Sequence, residues 1–118
     1  MLLRLAALSS ALMLLGASSR YSILGSWDCR FVQSIEGDVE HEQFLPDGRL
    51  LFENADDPTS KQTFRYRYLG SRLQVWGASA GNSIEKSKLT WYGRNSFLDH
   101  VYAGPGDAVG STTLCIRK

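Results

Sequence analysis

Histidine and cysteine are scarce in this 118-residue chain, two of each, and the scarcity excludes several chemistries. Neither Cys29 nor Cys115 belongs to a C-x-x-C pair, and two histidines are too few to build a zinc site with them. His41 stands beside Glu40 and Glu42, and His100 beside Asp99. Strand alternation sends adjacent residues to opposite faces, so no metal site is expected. No serine occupies a G-x-S-x-G elbow, and no nucleophile, base and orienting group can be assembled. No catalytic residue and no cofactor are assigned, and the chain is not expected to be an enzyme. Lysine and arginine nowhere reach the density of a nucleic-acid footprint, and the formal net charge is +1. Beyond the first twenty residues there is no sustained helical period, repeat, low-complexity tract or linker.

The one long uncharged run is at the start. Leu5 to Leu15 is almost wholly Ala and Leu, preceded by Arg4 and followed by the small residues Gly16, Ala17, Ser18 and Ser19. A positive start, a short apolar run and a small-residue site make an export signal, read as residues 1–19. A spanning helix needs about 20 apolar residues, so no membrane span is expected after processing. The mature domain, residues 20–118, suits a single monomeric domain with a modest core. Its expected location is periplasmic or secreted. In that compartment an even cysteine count favours a disulfide between Cys29 and Cys115.

What is present is β pattern throughout. Strands are expected near residues 23–32, 39–45, 49–53, 61–69, 72–76, 84–92, 97–102 and 112–117, with Asn54 to Ser60 as a polar loop. Pro46-Asp47-Gly48 forms a tight turn, since Pro presets φ and Gly accepts positive φ. The fold class is all-β: one eight-stranded antiparallel up-and-down barrel, which closes on itself and leaves no edge, with a two-sheet sandwich as the alternative. Closure would pair the first and last strands and bring Cys29 near Cys115. Yet Cys29 shares the apolar face of Trp27 and Phe31, whereas Cys115 alternates with Leu114 and Ile116, so the bond is expected to need a β-bulge or a break near Cys115.

The order of Gly25-Ser26-Trp27, Phe44-Leu45-Pro46-Asp47-Gly48-Arg49, Tyr66 to Leu73, Leu89-Thr90-Trp91 and Cys115-Ile116-Arg117 resembles small bacterial lipocalin-like domains of the calycin group. The resemblance covers nearly the whole mature chain. It implies a structural pair, Trp27 closing one end of the barrel and Arg117 packing over it. The chain is shorter than a true lipocalin and lacks the C-terminal helix and a Thr-Asp-Tyr type motif. A looser resemblance links Gly77 to Gly81 and Leu89-Thr90-Trp91 to periplasmic lysozyme-inhibitor barrels, although Ile84 stands where those have Tyr.

Two functional readings follow. In the first, the barrel binds a small apolar or amphipathic ligand, and Phe31, Phe64, Tyr66, Tyr68 and Trp91 are the inward aromatics that would line it. In the alternative, it binds a protein, as an enzyme inhibitor or immunity protein would, through Arg72, Trp76 and the loop holding Ser79. Trp76 is expected on an exposed face with Arg72. The first reading predicts a cavity open at one end, the second a filled interior. Glu40 and Glu42 share the face of Phe44. They are expected on a solvated outer surface; pointing inward, they would need a cationic guest or an arginine.

Overall fold

The computed structural model describes residues 21–33, 39–77 and 84–118. Residues 1–19, read from the sequence as an export signal, and Ser79 lie outside the described residues. Eight strands follow in chain order: β1 (Gly25–Phe31), β2 (Glu40–Phe44), β3 (Arg49–Asn54), β4 (Asp57–Leu69), β5 (Arg72–Gly77), β6 (Glu85–Trp91), β7 (Ser96–Ala103) and β8 (Thr112–Arg117). Each pairs antiparallel with its sequence neighbour, and β1 pairs with β8, so the sheet is a closed up-and-down barrel. A single 3₁₀ turn, Gly106–Ala108, is the one helical element among the described residues. No helix there is long and apolar enough to cross a membrane.

The pattern that makes the strands also fills the barrel. Trp27 and Cys29 on β1, Phe44 on β2, Leu50 on β3, Leu73 on β5, Leu89 on β6, Phe97 on β7 and Cys115 on β8 are buried two residues apart or at matching register. Burial of such side chains contributes ~1.5–3 kcal/mol each, the main force closing the sheet.

The polar segment Asn54 to Ser60 is not a loop. β3 runs to Asn54, Ala55 and Asp56 make a two-residue turn, and β4 begins at Asp57. The register slips between Phe52 and Asn54, and there the Ser60 hydroxyl accepts the Asn54 N–H at 2.8 Å in place of a ladder partner. The irregularity lets a strand carry Pro58, which has no N–H to give.

Cys29 and Cys115 are direct cross-strand partners with Cα atoms 4.1 Å apart, and they form the disulfide. Neither a bulge nor a break is needed. On β8 the inward residues are Thr113, Cys115 and Arg117, while Ile116 is 53 % exposed. The reading that gave β8 an inward Leu114–Ile116 face is therefore corrected.

Candidate functional site

The two ends of the barrel differ. At one end the interior is packed solid. Trp27 is fully buried; its ring centroid lies 4.7 Å from that of Phe97 and 5.7 Å from that of Trp91, both in edge-to-face arrangement. Trp91 is 4.8 Å from Phe97 and donates its indole N–H to Tyr68 Oη at 2.9 Å. The Tyr66 hydroxyl donates to the Leu45 carbonyl at 2.7 Å, and its ring meets Phe44 edge-on. Arg117 caps this end. Its Cζ is 4.2 Å from the Trp27 ring centroid, and its guanidinium donates to the carbonyls of Ser22, Leu24 and Arg94.

Gly25 makes room for that cap. A Cβ at Gly25 would sit 3.0 Å from Arg117 Nη1, and its φ of +117° disfavours any other residue. The Gly-x-Trp spacing thus has a local reason: the Gly admits the guanidinium, and two residues later the Trp supplies the face it covers.

At the other end is a cavity of about 470 Å³, with walls from all eight strands. Its apolar surface comes from Phe31, Leu50, Phe52, Phe64, Val75 and Val101, with Phe52 and Phe64 edge-to-face at 6.1 Å. Its polar surface is acidic: Glu40 and Glu42 from β2, Glu85 from β6 and Asp99 from β7, with no Lys, Arg or His among the lining residues. The expectation of a solvated outer face for Glu40 and Glu42 is overturned. β2 is paired on both sides, Phe44 is inward, and strict alternation carries Glu42 and Glu40 inward with it.

The electrostatics follow from the enclosure. Glu42 is half-buried, and its side chain borders the lumen. Burial, then the nearby charge of Asp99, and then Glu40 and Glu85 push its pKa up to about 8. Asp99 is raised to about 6, chiefly by burial, while the nearby Ser87 hydroxyl and His100 pull the other way. Glu85 is raised by burial alone. Ser87 Oγ and Asp99 Oδ1 are both buried without closing a hydrogen bond of ordinary geometry. The Ser87 hydroxyl beside Asp99 nonetheless holds its pKa below where burial alone would put it.

Of the aromatics expected to line a ligand site, Phe31 and Phe64 border this cavity. Tyr66, Tyr68 and Trp91 do not: they belong to or adjoin the packed end, where their polar atoms are already bonded. The acids Glu42, Glu85 and Asp99 were not singled out as a group, because nothing in a local window shows that strands β2, β6 and β7 share a lumen.

Trp76, expected exposed, is half-buried on the outer face opposite Arg65, and Arg72 rests over the Tyr102 ring at 5.9 Å. His41 Nδ1 lies 2.5 Å from Asp28 Oδ1, and the exposed His100 bonds Thr112, so the two histidines do not converge. The metal-like grouping among the described residues, Cys29, Glu42 and Cys115, has its sulfurs joined to each other and so offers no thiolate. A smaller depression of about 340 Å³ lies along β1 to β4, around His41, Glu53 and Lys61, with walls from one side of the barrel. No protein-family model, curated protein or solved structure matches this chain.

Proposed function

We propose that the protein is an exported, lipocalin-like binding barrel that holds a small amphipathic molecule in its lumen and performs no chemistry on it. The observation that carries this reading is the division of the interior: one end packed and capped, the other a cavity of about 470 Å³. That volume falls in the range of small-molecule sites, and its surface is mostly apolar with a few convergent polar groups. A barrel whose only task was to present an outer surface would gain stability by filling this space. The disulfide fits an oxidising compartment, in line with the export signal read from residues 1–19. The acids lack the donors and positioned nucleophile that turnover would need. The protein-binding alternative finds less support, since Trp76 is half-buried.

Native mass spectrometry of the protein purified from its own compartment tests the proposal. A retained small molecule is expected, and it should be lost in Val75→Trp, which fills the lumen from β5. A chain that carries nothing and excludes a neutral fluorescent probe such as N-phenylnaphthylamine overturns the reading.

A further inference from the structure

We propose that the lumen takes a small organic cation: a protonated amine seated among Glu42, Asp99 and Glu85, with an apolar or aromatic body lying against Phe31, Phe52 and Phe64. This rests on the lumen-binding reading and names the chemistry of its guest.

Three observations carry it. The first is the sign of the lining. The chain has 13 Lys and Arg against 12 Asp and Glu, yet the cavity wall holds four acids and no base. The second is Glu42. Its side chain is half-buried on the cavity wall, and it makes no hydrogen bond or ion pair with any described residue. A carboxyl turned into a mostly apolar lumen without a partner loses part of its hydration uncompensated, and packing alone would be better served by Leu or Gln. Asp99 Oδ1, buried on the same wall system, is likewise unpartnered. The third is placement. β2 and β6 are four strands apart in a ring of eight, so Glu42 and Glu85 approach from opposite walls, and Asp99 comes from the strand beside β6. A single ammonium between them would meet carboxylate oxygens on more than one side. Phe52 and Phe64 offer ring faces and edges to the remainder, and an aromatic wall near a cation adds a further attraction.

The protonation states give the proposal a pH dependence. Near neutral pH Asp99 is ionised while Glu42 largely keeps its proton. An arriving ammonium favours the ionised form of Glu42, so binding should release a proton to the buffer, and affinity should rise as pH climbs from about 6 to about 8. The titratable groups acting on Glu42 are Glu40 on its own strand, Glu85 on β6 and Asp99 on β7, with His100 acting on Asp99. Its register partners on β1 and β3, Trp27 and Phe52, do not titrate, and neither does the bonded Cys115 of β8.

The test is calorimetric titration of the purified, disulfide-bonded protein with phenethylamine and with its uncharged counterpart, phenethyl alcohol. The amine is expected to bind at least about ten-fold more tightly. Glu42→Gln and Asp99→Asn should each weaken the amine by roughly ten-fold and leave the alcohol within about two-fold. In buffers of different ionisation enthalpy, the amine alone should show proton release near neutral pH. Equal binding of amine and alcohol overturns the cation assignment while leaving a lumen-binding protein. Exclusion of both, together with exclusion of N-phenylnaphthylamine, overturns the binding reading itself. Should either variant fail to fold, the amine–alcohol comparison on the unaltered chain still decides.

Discussion

Asp99 is the charged residue that acts most strongly on Glu42, and it does so from β7, five strands along the chain from β2. The two titrate in order. Asp99 ionises first, near 6, and its charge then helps hold the Glu42 proton up to about 8. The relationship exists only because the sheet closes, and its consequences can be measured on the empty protein.

The stability of the barrel should fall as pH rises from about 5 to about 8. Both carboxyls have folded pKa values raised above their unfolded ones, so the folded state holds more protons in this window. Stability is then full below the unfolded values and declines as pH passes through the folded ones. Lumen water screens part of the effect, and a loss on the order of 2 kcal/mol is expected across the window. Thermal melts at the two ends should differ by roughly 10 °C. In Glu42→Gln the slope should flatten and stability near pH 8 should rise. An unchanged slope would mean that Glu42 is ionised in solution at ordinary pH.

The capped end should respond to geometry more than to charge. Gly25→Ala places a methyl group 3.0 Å from Arg117 Nη1 at a φ of +117°, and something must shift. A loss of about 2 kcal/mol is expected in urea unfolding. Arg117→Lys keeps the charge but loses the planar fork that reaches three carbonyls while lying on the indole, and should cost a similar ~2 kcal/mol. Neither change should affect lumen occupancy, because neither residue borders the cavity.

Joining Cys29 to Cys115 closes a loop with a sequence separation of 86 residues. The chain-entropy account gives such a crosslink about 4.5 kcal/mol. The double variant Cys29→Ala, Cys115→Ala should lose most of that in urea unfolding. Because the bridge is buried, the native protein should resist reductant until it unfolds. Rapid reduction of the folded protein would place the bridge at the surface.

The barrel is legible in the sequence where one face of a strand is apolar and the other is not. Phe64, Tyr66 and Tyr68 against Thr63, Arg65 and Arg67 leave no doubt which way β4 faces. β8 lacks that contrast. Leu114 and Ile116 outweigh Thr113 and Arg117 in hydrophobicity, so composition points the wrong face inward; closure against β1, which aligns Cys115 with Cys29, overrides it. The acidic lumen was hidden for a related reason. Glu40 and Glu42 look like a solvated face because carboxylates are mostly exposed. The counter-signal was present in Phe44, an inward residue two positions on, and alternation ranks above hydrophilicity as a guide to facing. That Glu85 and Asp99 join them depends on which strands become neighbours across a closed ring, and no local pattern carries that.

Ser87 offers a small, decisive probe of the acidic wall. It is fully buried, its hydroxyl closes no ordinary hydrogen bond, and its presence lowers the pKa of Asp99. A buried hydroxyl that closes no ordinary hydrogen bond is destabilising while Asp99 is protonated, so below about pH 5 Ser87→Ala is expected to be neutral or stabilising by up to about 1 kcal/mol, whereas above about pH 6, where the hydroxyl supports the carboxylate, the change should cost stability. The same change should raise the Asp99 midpoint further above 6, because a dipole that favours the carboxylate is removed. Carboxyl-carbon NMR titration of the two proteins separates these effects. A higher midpoint with lower stability above about pH 6 means that the hydroxyl serves to hold Asp99 charged at the pH where a cation would arrive. An unmoved midpoint means that Ser87 is only a small residue filling space beneath Val101 and Leu73, its register partners on β7 and β5.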